Sequence, residues 1–175
     1  VELDHTLMLF WKISLHRMCD HYLPKLLYAL SLLNKEEIWV RETKESNSIG
    51  GIALHICEHV RRNMLEQQNR TMPFSRGIEE HFPQLDWTAK ELGDYVQRTF
   101  VEWKNTMNRC INGHEKMNLD LFRLYHLVEH TSYHLGQIID RIKQMKHVSF
   151  QFCQNGLSEK ALREMVEKNV QSENF

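Results

Sequence analysis

Apolar residues recur at three- and four-residue intervals along most of this 175-residue chain, with little strict alternation. That period belongs to helices with one buried face and not to half-buried strands, so the pattern predicts an all-α fold. The first periodic region runs from about Leu3 to Leu33, with Pro24 either kinking one long helix or opening a second one as its first-turn residue. Asn34-Lys35-Glu36-Glu37 sets a capping side chain three residues ahead of a glutamate. This is a capping-box signature, and it predicts a short helical turn through Trp39 followed by a polar connection from Arg41 to Asn47.

Ser48 is placed to cap a second long helix reaching about Gln68, with Ile49, Ile52, Ile56 and Val60 as its apolar stripe. Gly50 and Gly51 would let another backbone come close. Asn69 to Asp86, with Pro73, Gly77 and Pro83, is the longest irregular segment, and a connection of that length suits a crossover or the cover of a pocket. Thr88 is the expected cap of a third helix to about Ile111, stopped by Asn112-Gly113. Asn118 or Asp120 begins a fourth that persists to about Lys146, and Ser158 caps a final amphipathic helix ending near Asn169. With no internal repeat or low-complexity tract, residues 1–175 read as a single domain: a four-helix bundle with an extra C-terminal helix.

Composition narrows the function classes. A hydrophobic fraction of 42% with 26% charged residues is that of an ordinary globular chain. The 22 Lys+Arg and 23 Asp+Glu leave a formal net charge of -1, without the positive field that drives association with nucleic acid or acidic membranes, so neither is an expected partner. Cys19, Cys57, Cys110 and Cys153 are widely spaced and form no CxxC pair, the usage of a reducing compartment, and a cytoplasmic location is expected. The first eleven residues have no basic stretch and only a short apolar run, and no apolar run of about 18 residues follows. A leader trimmed ahead of Val1 is left open.

The chemistry-bearing feature is histidine. Eleven histidines placed at random would give about 0.7 pairs at i,i+4. The chain has three such pairs, His55/His59, His126/His130 and His130/His134. Residues four apart on a helix differ by only about 40° around its axis, so His130 and His134 can address one ion. Both flank the stripe of Leu127, Leu135, Ile138 and Ile142, and His55 flanks that of Ile52, Ile56 and Val60. Two facing helices would thus bring three imidazoles together on one divalent metal and leave a coordination position open, the arrangement of a catalytic site. Spacing alone is equally compatible with core-edge histidines satisfied by hydrogen bonds. His114-Glu115 is followed by Lys116, Met117 and Asn118, so no HExxH motif is present.

Two segments, NSIGGIALHICEHVRRNM (Asn47 to Met64) and HLVEHTSYHLGQIIDRIKQM (His126 to Met145), resemble the DinB/YfiT-like superfamily, with weaker likeness over YLPKLLYAL (Tyr22 to Leu30). The resemblance implies an up-down-down-up four-helix bundle, commonly a homodimer, with a zinc- or nickel-type site. Its metal ligands map onto His55, His130 and His134. His59 and His126, each one turn from such a ligand, are candidates to replace or supplement it, and Glu58 and Glu129 are candidates to hydrogen-bond the ligand rings. Cys57 lies about 200° from His55 and should point away from the ion, whereas Tyr133 is expected as a helix-surface aromatic.

What the resemblance implies for function is a metal-dependent S-transferase that joins a low-molecular-weight thiol of the bacillithiol or mycothiol type to a small-molecule electrophile. The alternatives are a metal-dependent hydrolase and a non-catalytic metal- or ligand-binding protein. Imidazole ligands suit zinc, nickel, copper or iron.

Overall fold

The computed structural model describes residues 5–68, 77–111 and 120–171, and every regular element among them is helical. The first periodic region forms α1 (His5–His16), a π-helical segment (Arg17–Tyr22) and α2 (Leu23–Ser31) without a break. Pro24 stands in the first turn of α2. It cannot bond the carbonyl of Asp20, and in a regular α-helix its ring would clash with that carbonyl, which accounts for the wider turn over the segment holding Asp20. Pro24 thus holds the first-turn position of a second α-helix, and the helical path runs into it through the π segment.

Side-chain caps set the other boundaries. Ahead of α3 (Lys35–Trp39), Asn34 Oδ1 accepts from the Glu37 N–H at 2.9 Å, and Glu37 Oε2 accepts from the Asn34 N–H at 2.8 Å. Ser48 Oγ accepts from the Gly51 N–H at 3.0 Å and opens α4 (Ile49–Gln67). The Thr88 backbone N–H donates to Glu91 Oε2 at 2.8 Å at the start of α5 (Ala89–Ile111). Asp120 Oδ1 accepts from the Arg123 N–H at 3.1 Å and begins α6 (Leu121–Lys146). Ser158 Oγ accepts from the Ala161 N–H at 3.2 Å ahead of α7 (Glu159–Gln171). Each bond satisfies an N–H that the first helical turn leaves without a partner. The expected start at Leu3, the stop at Asn112-Gly113, the alternative cap Asn118 and residues 69–76 of the irregular segment lie outside the described residues.

α2 and α4 each pack on both α5 and α6, closing a ring of four helical segments around one core. Its fully buried side chains include Phe100, Trp103, Ile52, Ile56, Leu124 and Leu127. α7 lies outside this ring against α1 and the π segment, burying Leu162 and Val166, while Arg17 grips Glu159 through two bonds of 2.9 and 2.8 Å. Among the described residues no helix is long and apolar enough to cross a membrane. The α4/α6 seam carries the histidine ladders.

Candidate metal centre

His55 projects from α4, and His130 and His134 project from α6 one turn apart. His55 and His134 are buried, at 1% and 6% exposure, and His130 is half-buried. The Nε2 atom of His130 lies 3.0 Å from Nε2 of His55 and 3.1 Å from Nε2 of His134, and one ligand atom from each of the three falls within 4.8 Å of the others. Imidazole nitrogens bound about 2.0–2.1 Å from one ion stand roughly 3.0–3.4 Å apart at right or tetrahedral angles. The three rings are thus close enough to bind a metal ion.

The far sides of two rings decide which nitrogen is offered. His55 Nδ1 is 3.2 Å from the backbone carbonyl of His81, which can only accept, so Nδ1 carries the proton and Nε2 the lone pair. Likewise, His134 Nδ1 donates to Gln137 Oε1 at 2.8 Å. Two lone pairs therefore meet His130 Nε2, and a single proton there satisfies only one of them. A shared cation satisfies all three nitrogens, which is the fit of this donor set to a metal.

Burial keeps these rings neutral. It is the main cause that brings His55 to about 4, with the His134 charge adding to it, and His130 to about 4, with His134 and then His55 adding. Burial also lowers His134, against the opposing bond from Gln137. Neutral imidazole is the form that ligates, so protons compete weakly with a metal near pH 7.

The segment before α5 closes one side of the cluster. Phe82 stacks on the His55 ring, centroids 4.2 Å apart at 17°. The segment is seated on α4 through glycine. A Cβ on Gly51 would stand 3.3 Å from the Pro83 carbonyl oxygen, and one on Gly50 would run into the Trp39 ring at 2.4 Å. Ser48 Oγ donates to Gln84 Oε1 at 3.0 Å, the Gln84 amide donates to the Trp39 carbonyl, and Trp39 Nε1 donates to the Trp87 carbonyl at 2.7 Å. The close approach expected at Gly50 and Gly51 thus comes from one indole and from the backbone that delivers His81 and Phe82.

The remaining candidates fall around this set. His59 lies against His130, with centroids 3.9 Å apart, and its Nε2 is buried without a hydrogen-bond partner. His126 is exposed, with its ring 5.3 Å from His130 and 5.9 Å from His59. Neither belongs to the three-nitrogen group. Glu58 turns to Arg62 at 3.1 Å and Arg61 at 3.8 Å, and Glu129 is exposed. The hydrogen bonds expected of those two carboxylates come instead from His81 and Gln137, because the arginines one turn along α4 take Glu58. Cys57 is fully buried, and burial pushes its thiol up to about 12. Tyr133 is 62% exposed and meets the His134 ring edge-on at 5.1 Å.

Sequence reading missed His81, Phe82 and Gln137. Gln137 had a usable signal, since a residue three beyond a helical ligand shares its face. The His81 contact uses a carbonyl that any residue would supply. No family model, no curated protein and no solved structure matches the chain.

Proposed function

We propose that the protein is a metal-dependent transferase that joins a low-molecular-weight thiol, of the bacillithiol type, to a small electrophile. The observation that carries this reading is the convergence of three Nε2 atoms at 3.0 and 3.1 Å, with two of the rings held through Nδ1. A divalent ion there, zinc or nickel by the chemistry of imidazole ligands, supplies a positive charge that favours thiolate over thiol near neutral pH.

The surroundings favour thiol transfer over hydrolysis. A cation would activate bound water as well, but hydrolysis also calls for a group that protonates the leaving atom, and among the described residues the nearby carboxylate Glu58 is held by arginines. A thiol needs no such group, because its proton leaves to solvent while the sulfur forms the new bond to carbon and the electron pair of the breaking bond goes to the leaving group. Phe82, stacked on His55, presents an apolar wall that excludes water from that side and suits a soft sulfur ligand.

We place the chain in the DinB/YfiT-like superfamily on the segments around His55 and His130. The ring contacts support the up-down-down-up connectivity: His55 meets His134 while His59 meets His126, so α4 and α6 run in opposite directions along the seam. The same reading makes the protein a homodimer acting on a small molecule in the cytoplasm.

The test is adduct formation between bacillithiol, cysteine or glutathione and a small alkylating electrophile, comparing metal-loaded protein with the His130→Ala variant. Acceleration by the loaded wild type alone supports the reading. Loaded protein that accelerates none of the three thiols overturns it.

A further inference from the structure

The two histidine ladders continue one turn past the three-nitrogen cluster. His59 follows His55 on α4, His126 precedes His130 on α6, and their rings face each other across the same seam with centroids 5.9 Å apart. Two imidazoles on one ion, each nitrogen about 2.0–2.1 Å from it, place their ring centroids roughly 5–6 Å apart when the angle between them is wide. The rings of the cluster itself stand 4.5 to 5.1 Å apart.

Three observations single this pair out. His59 Nε2 is buried and has no hydrogen-bond partner, a costly state for a ring nitrogen that a ligand would relieve. Both residues border a cavity of about 260 Å³ together with Arg62, Asn63, Glu66 and Arg123, where Glu58 and Glu66 pair with the two guanidinium groups, so a compartment with room for an ion and its waters adjoins the two histidines. His126 is exposed, while His59 touches His130, giving an unbroken file of rings from the surface to the buried cluster.

We propose that His59 and His126 form a second, weaker divalent-cation site, which takes the ion from the cavity and passes it to His55, His130 and His134. Two protein nitrogens hold an ion less firmly than three and leave most of its hydration in place, so an ion caught here exchanges readily. His130, which neighbours both His59 and the inner nitrogens, is the ligand through which transfer runs. This rests on the cluster being the ion's destination, but binding at the outer pair is measured separately.

The experiment titrates chelator-stripped protein with zinc by calorimetry and follows uptake by rapid mixing, for wild type and His126→Ala. His126 is exposed, and a circular-dichroism melt verifies that its variant is folded. Wild type is expected to show a tight step followed by a weaker one. In His126→Ala the weaker step is lost and uptake slows, while the final tight occupancy is unchanged. A variant with the wild-type isotherm and uptake rate overturns the proposal, as does a wild type with the tight step alone. His130→Ala separates the two ideas: loss of the tight step with the weak one retained supports both, whereas a wild type showing only the weak step defeats the inner cluster and leaves the outer site standing.

Discussion

Gln137 lies one helical turn beyond His134, and its side-chain oxygen takes the Nδ1 proton of that ring at 2.8 Å. The bond fixes both the tautomer and the plane of the ring, so that Nε2 meets His130 Nε2 at 3.1 Å. Gln137→Leu, similar in volume but without the acceptor, is expected to weaken metal binding by about 10- to 100-fold, with the fold intact. Gln137→Glu, which restores an acceptor, should recover most of the loss. Competition against a chromophoric chelator measures both, and an unchanged affinity in the leucine variant would remove Gln137 from the site.

Acid should destabilise the metal-free protein. His55 and His130 are held at about 4 in the folded chain, against about 6.5 for a free histidine. Between those values the unfolded chain binds more protons, so stability rises with pH across the window. It is fully present above about pH 6.5 and is lost as pH falls toward 4. Thermal melts of chelator-treated protein from pH 4 to 8 test this, and a Tm that stays level or rises on acidification contradicts it.

Gly50→Ala sets a methyl group 2.4 Å from the Trp39 ring. The indole also bonds the Trp87 carbonyl at 2.7 Å, so it cannot move without breaking that contact. The expected cost is about 1–3 kcal/mol, read from urea unfolding. A variant with the wild-type midpoint would show that the indole yields freely.

α6 ends at His147, which takes the left-handed conformation with φ 54°. A side chain other than glycine is strained there, so His147→Gly should stabilise the protein by roughly 1 kcal/mol. Equal or lower stability in urea would show that the imidazole contributes something the strain does not offset.

The helices were legible because their boundaries are local. Asn34, Ser48, Thr88, Asp120 and Ser158 each carry the side chain that the first turn needs, and each makes the bond expected of it. The π segment was not legible, since Pro24 signals a disturbed hydrogen-bond pattern without saying whether the helix breaks or widens. At the site, i,i+4 spacing placed His55, His130 and His134 on facing edges but marked His59 and His126 equally. Only the lateral positions of α4 and α6 decide which nitrogens converge. The 81–87 segment was illegible for a different reason, because it has no periodic pattern to place the Phe82 ring and it holds His55 Nδ1 through a backbone carbonyl.

Whether the three imidazoles hold one ion is tested most directly by elemental analysis of protein purified without a metal-affinity tag. Wild type is compared with His55→Ala, His130→Ala and His134→Ala. The three-histidine geometry predicts about one tightly held equivalent of a divalent metal in the wild type, lost in each variant, as expected when one of three ligands is removed. A wild type that carries no metal and takes up neither added zinc nor added nickel would contradict it, and would leave the three rings as neutral, hydrogen-bonded members of the α4/α6 seam.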